Sequence, residues 1–237
     1  MKKILSLINA DLRQIFRDKT LTVFLFGPMV LIVLLRLFVP YLTTQYPVIE
    51  PYQPMIIMFA GIQTAISFGF IISFIILDEK DENVLQVIRV LPISPFYFIL
   101  YRLLFATVFS SLGAFLLINL SGIAYPGLMN SVLLSVQYGL TAPFITLIIT
   151  TYAKNKVEGM AFFKGVDLIL LLPLLSFFTE GNFAYIFSII PAFWTYNLFN
   201  ESISGGNILL YFSIGLIVYS TVIALLFIQF KRAVFDR

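Results

Sequence analysis

Six long apolar stretches organise the chain, at 21–41, 55–77, 96–120, 132–152, 160–178 and 208–230. Each is long enough, at about 1.5 Å per helical residue, to cross a hydrocarbon core of about 30 Å. None alternates strictly enough for a barrel strand, so the pattern predicts six membrane-spanning helices in a single all-α domain covering 1–237. Before the first stretch, Ile4, Leu5, Ile8, Leu12, Ile15 and Phe16 recur at helical spacing among Lys2, Lys3, Arg13, Arg17 and Lys19. That pattern predicts an amphipathic helix lying along the membrane surface; the plainer alternative is a basic leader that only sets topology. A cleaved signal peptide fits less well, because the apolar run that follows contains Pro28 and Arg36 and lacks a small-x-small cleavage site.

A seventh apolar stretch, 183–199, is interrupted by Pro191. If it crossed the bilayer, the basic C-terminal tail would lie on the other side from the basic N-terminus. Pro191, Phe193 and Trp194 are therefore assigned to a re-entrant or interfacial element on the outer face, with Trp194, Tyr185 and Tyr196 suited to the headgroup zone.

Charge then orients the bundle. Lysine and arginine are found before the first span, after the second (Lys80, Arg89), after the fourth (Lys154, Lys156) and in the tail (Lys231, Arg232, Arg237), and are missing from the connections after spans one, three and five. This asymmetry predicts a multi-pass protein of the cytoplasmic membrane with both termini cytoplasmic. Overall, 60% of residues are hydrophobic and 11% charged, against about 45–50% and about 25% in soluble domains. Cysteine and histidine are absent, which excludes disulfides, thiolate or imidazole metal sites and Cys or His nucleophiles. The net charge of +3 is accounted for by the loop charges and indicates no nucleic-acid partner.

Within the second span, Gly61, Ala65, Gly69 and Ser73 fall at successive i, i+4 positions, a row of small side chains that lets another helix come close. That neighbour could belong to the same subunit or to another. Three charges inside or near the ends of spans could mark a pathway. Arg36 is expected near the outer surface, snorkelling or paired with Glu50 or Glu180, and Arg102 is expected to reach cytoplasmic headgroups. Asp167 lies deeper, with Lys164 three positions before it; an internal ion pair and a place on a substrate pathway both remain open.

Between spans two and three, five consecutive charges (Asp78, Glu79, Lys80, Asp81, Glu82) precede a short segment rich in apolar residues, which Pro92 and Pro95 end. Here the sequence resembles the permease subunits of ABC-2-type transporters. The resemblance rests on the N-terminal amphipathic helix, the six spans, the acidic Glu79 and Glu82 followed by Leu85, the Pro92-Ile93-Ser94 turn, and Ile189 to Trp194 before the last span. Asn83 stands where that family often has glycine. The resemblance implies a cytoplasmic coupling helix, with Glu79, Glu82, Leu85, Ile88, Arg89 and Leu91 meeting a separate ABC ATPase subunit present in two copies. It also implies a second permease subunit, identical or homologous, a bacterial setting, and ATP and Mg bound by the ATPase with no cofactor in this chain. No G-x-x-x-x-G-K-[ST] phosphate loop occurs. Ser202 to Gly206 superficially echoes an ABC ATPase signature, but lies in an outer connection and is read as the lead into span six.

The reading that follows is a non-enzymatic permease subunit of an ATP-driven transporter, exporting a hydrophobic or amphipathic drug, peptide or lipid. Two other classes stay in view: a non-transporting immunity or sensor subunit, and a secondary transporter. The 26 phenylalanines suit an apolar cargo and would equally face lipid.

Overall fold

The structure, a computed structural model, describes residues 2–82, 95–179 and 181–234. Its elements are helical: α1 (Lys2–Arg17), α2 (Lys19–Gln45), α3 (Gln53–Asp81), α4 (Pro95–Leu120), α5 (Leu128–Tyr152), α6 (Lys156–Leu171), α7 (Ala192–Ser204) and α8 (Ile208–Val234). The 3₁₀ segments Pro47–Tyr52, Leu172–Phe178 and Gly181–Ile189 join or extend them. Among the described residues, six segments are long and apolar enough to cross a membrane: α2, α3 with the turn before it, α4, α5, α6 with its 3₁₀ extension, and α8. The expected coupling helix, and with it Leu85, Ile88, Arg89 and Leu91, lies outside the described residues.

Burial divides the spans into a core and a periphery. The most apolar windows of α3 and α5 are 78% and 72% buried, whereas those of α2 and α8 are 17% and 11% buried. Accordingly α3 and α5 pack on each other, with α2 and α6 against α3, α8 against α5, and α4 against both. The small-residue face of α3 makes that close approach possible. A Cβ on Gly61 would stand 2.7 Å from the Tyr138 ring, and one on Gly69 would stand 2.9 Å from the Ala142 carbonyl oxygen. Thr146 donates a hydrogen bond to the Gly69 carbonyl at 3.1 Å, so the row's neighbour is α5 of the same chain. Ala65 and Ser73 are buried in the same helix, and the Ser73 hydroxyl donates back to the Gly69 carbonyl at 2.6 Å.

Local chemistry sets the breaks. Asp18 leaves the helical conformation and caps α2, accepting from the Thr20 and Leu21 N–H groups at 2.8 and 3.3 Å, which separates α1 from the first span. Pro173 cannot donate to the preceding turn, and α6 tightens into 3₁₀ geometry from Leu172. At Pro191 the seventh apolar stretch divides. The helix after it, α7, has 13 residues, about 20 Å, too short to span the bilayer alone. Its C-terminus closes on Gly205, whose φ of +77° is the left-handed cap conformation. Arg36 donates at 3.0 Å to the Leu120 carbonyl at the end of α4, while Glu180, one of its expected partners, lies outside the described residues.

Candidate functional site

The last turn of α3 extends four residues past the apolar stretch, and its charges reach four other helices of the bundle. Residues one apart on a helix point about 100° apart, so a run of four faces all directions. Asp78 accepts from Lys156 of α6 at 2.6 Å and from Gln14 of α1 at 3.0 Å. Glu79 turns to Arg102 of α4. Lys80 donates to the Thr150 and Ala153 carbonyls at the end of α5, at 3.3 and 2.7 Å. Asp81 accepts from the Lys156 backbone N–H at 3.3 Å.

Arg102 is the deepest member of this array, 2% exposed. It lies about 10 Å along α4, so its planar fork is held inside protein. One edge binds Asp11 of α1, with Nη2 donating to Oδ1 at 2.7 Å and Nε to Oδ2 at 3.0 Å. The other binds Glu79, with Nη2 donating to Oε1 at 2.6 Å and Nη1 to Oε2. The Tyr101 hydroxyl donates to the same Asp11 Oδ2 at 2.7 Å. Phe98 lies 4.4 Å from the guanidinium carbon, a cation–π contact on the face that carboxylates leave open. The expectation that Arg102 reaches headgroups is thus overturned. Two carboxylates already satisfy its fork, and withdrawing it to lipid would leave buried Asp11 and half-buried Glu79 unpaired.

A shallower cluster surrounds this joint. Lys156 adds a longer contact to Asp18, 3.5 Å, and so links the start of α6 to the α1–α2 corner. Partial burial acts to raise the Asp18 carboxyl. The Leu21 and Thr20 N–H groups and the Lys156 ammonium outweigh it, holding the group below the usual carboxylate range. Charges on α1, α3, α4 and α6 and the α5 terminus are cross-tied at one end of the bundle, directly before residues 83–94.

The other sequence-derived candidates fall as follows. Glu82 caps α3 and is exposed. Lys164 and Asp167 do not pair: Asp167 accepts from Gln63 of α3 at 2.8 Å, while Lys164 is exposed and makes no ion pair among the described residues. Gln63, half-buried on α3, reaches Asp167 from the packed side of α6. Phe193 is buried, and the Trp194 indole donates to the Ser188 carbonyl at 3.0 Å across the Pro191 bend. Tyr196 departs from the headgroup placement; it is fully buried and donates to the Leu170 carbonyl at 3.0 Å. Among the described residues no cluster of His, Cys, Asp or Glu could hold a metal ion.

Asp11, Gln14 and Arg102 are the functional candidates that sequence reasoning missed. Asp11 is the one acidic position within the N-terminal helix, and Arg102 a cation inside a span; the two point to each other only when both are asked for a partner.

Comparison with known proteins places this architecture. A family model described as fluoroquinolones export permease protein Rv2686c-like matches residues 11–227, an interval that takes in Asp11, Glu79 and Arg102. The fluoroquinolones export permease protein Rv2686c of Mycobacterium tuberculosis (strain ATCC 25618 / H37Rv) is 27% identical over 230 residues, covering 94% of this chain and 90% of that protein. The fluoroquinolones export permease protein MT2760 of Mycobacterium tuberculosis (strain CDC 1551 / Oshkosh) matches to the same extent. No solved structure matches significantly.

Proposed function

The chain belongs to the Rv2686c-like family of export permeases, and from that premise we propose that it is the membrane-spanning subunit of an ATP-driven ABC exporter. Its cargo is a hydrophobic or amphipathic drug-like molecule, with fluoroquinolones as the first candidates because the matched relatives carry that name. Hydrolysis takes place on a separate ATPase subunit that binds ATP and Mg, two copies serving a pair of permease subunits. The chain itself supplies the pathway.

The single observation that carries this reading is the Asp11–Arg102–Glu79 joint. A force applied to residues 83–94 by a cytoplasmic partner enters α3 at Glu79 and, through one guanidinium, acts on α1 and α4 together. Buried charge pairs have two discrete states, made or broken, and are costly to leave half-made, which suits a rigid coupling element. On this reading Leu85, Ile88 and Leu91 supply apolar area for the ATPase, each worth about 1.5–3 kcal/mol if fully buried. Glu82 and Arg89 set its register. Pro191, Phe193 and Trp194 cap the outer mouth.

The test is uptake of a fluorescent fluoroquinolone by inverted membrane vesicles containing this chain and a co-purified ATPase. ATP-dependent uptake that disappears when the ATPase is inactivated is the expected result. Leu85→Asp should uncouple hydrolysis from uptake; if assembly, hydrolysis and transport all survive it, the coupling assignment falls.

A further inference from the structure

Near the charged end of the bundle, α2 and α6 flank α3 and leave a cleft of about 620 Å³ between them. That volume suits a drug-sized ligand. Asp18 and Thr20 form one wall, Phe74 of α3 the back, and Lys156, Met160 and Lys164 of α6 the other wall. The back is aromatic and firmly held. Phe74 stacks on Phe70 with ring centroids 4.0 Å apart, Phe70 stacks on Phe24 of α2 at 3.9 Å, and Phe163 of α6 closes the group edge-on to Phe70 at 4.6 Å.

The two lysines of this cleft are not equivalent. Lys156 is neutralised by Asp78 and Asp18. Lys164, two turns further along a membrane-spanning helix and about 12 Å from its start, makes no ion pair among the described residues. A cation at that depth is expensive against lipid and marks a wet or ligand-bearing surface. The side chain of a helical residue leans toward the helix N-terminus, which brings the Lys164 ammonium toward the cleft mouth instead of the mid-plane.

We propose that this cleft receives the transported molecule as an amphipathic organic anion, its carboxylate held by Lys164 and its flat apolar body laid against Phe74 and Met160. The inference rests on the drug-export reading and goes beyond it by naming the charge the cargo presents and the residue that meets it. An aromatic back, a Lys156 ammonium already matched by Asp18 and Asp78, and one cation without an ion pair among the described residues favour a ligand that combines an aromatic face with a single anionic group. A neutral hydrophobe would leave Lys164 desolvated and unpaired.

The test uses the full-length permease in phosphatidylcholine nanodiscs, with a fluorescent fluoroquinolone carboxylate and its methyl ester as paired probes. The carboxylate should bind about tenfold more tightly than the ester, as expected for one charge-assisted contact. Lys164→Gln should abolish that preference while leaving ester binding intact, and Lys164→Arg should keep it; ester binding also reports that the variants are folded. A preference unchanged in Lys164→Gln overturns the assignment. Equal binding of both probes to the wild type overturns it too but leaves the drug-export reading standing, whereas no binding of either probe defeats both. If replacing phosphatidylcholine by phosphatidylglycerol displaces the carboxylate while sparing the ester, the cleft is a lipid-headgroup site and the proposal fails.

Discussion

Asp11 and Arg102 stand 91 positions apart in the chain and meet through two nearly parallel hydrogen bonds, Nη2 to Oδ1 at 2.7 Å and Nε to Oδ2 at 3.0 Å. This bidentate contact fastens the N-terminal helix to a membrane-spanning helix, and the same guanidinium holds Glu79.

Removing the arginine alone leaves buried Asp11 and half-buried Glu79 without a counter-charge, a loss of about 3–5 kcal/mol. Arg102→Gln should therefore lower the thermal midpoint of the purified protein by many degrees. Arg102→Lys should recover only part of it, because a single ammonium cannot serve both carboxylates with paired bonds. Asp11→Asn with Arg102→Gln should be less harmful than the sum of the two single changes, and strict additivity in that cycle would show that the pair is not coupled.

Two glycines in the spans should respond oppositely to alanine. At Gly69 the added methyl would meet the Ala142 carbonyl oxygen at 2.9 Å and Ile145 at 3.0 Å, so α3 and α5 must separate. The cost should be about 1–3 kcal/mol. At Gly165 nothing lies within 4 Å of the new methyl, and Gly165→Ala should stabilise α6 by about 0.5–1 kcal/mol. Thermal unfolding in one detergent compares them directly; equal effects would refute the packing assignment.

Asp18 gives a pH dependence with a definite sign. Its folded carboxyl is held below the usual carboxylate range, so its contribution is fully present above the unfolded value and is lost as pH falls through the folded one. Asp18→Ala should remove the cap at a cost of about 1 kcal/mol near neutral pH. The gap between wild type and Asp18→Ala should narrow on acidification, while Asp18→Asn keeps a cap without titrating. A constant gap from neutral pH to pH 3 would assign the stabilisation elsewhere.

Orientation can be read by labelling, since the chain has no native cysteine. Single cysteines at Gln45, Asn130, Asn182 and Ser204 should react with a membrane-impermeant maleimide in intact cells, and those at Ser6 and Asn155 should not. Reaction at Asn155 would reject the proposed topology.

What the sequence determined was the number and position of the spans, because hydrophobic length against bilayer thickness is a property of each segment alone. The small-residue row from Gly61 to Ser73 was legible for the same reason: its spacing on one helix reveals a close-packing face. Its partner was not legible, and α5 is identified as the neighbour by Tyr138, Ala142 and Thr146 meeting that face. Charged residues behaved differently. Asp78 to Asp81 read as the charged lead into a coupling segment, whereas the fold distributes them to Lys156, Gln14, Arg102 and the ends of α5 and α6. Whether a charge faces water or a buried counter-charge depends on which helices stand beside it. That is decided by packing across 23 to 91 positions of chain, so Arg102 could be called a headgroup anchor from its depth and yet be a buried tie between α1, α3 and α4.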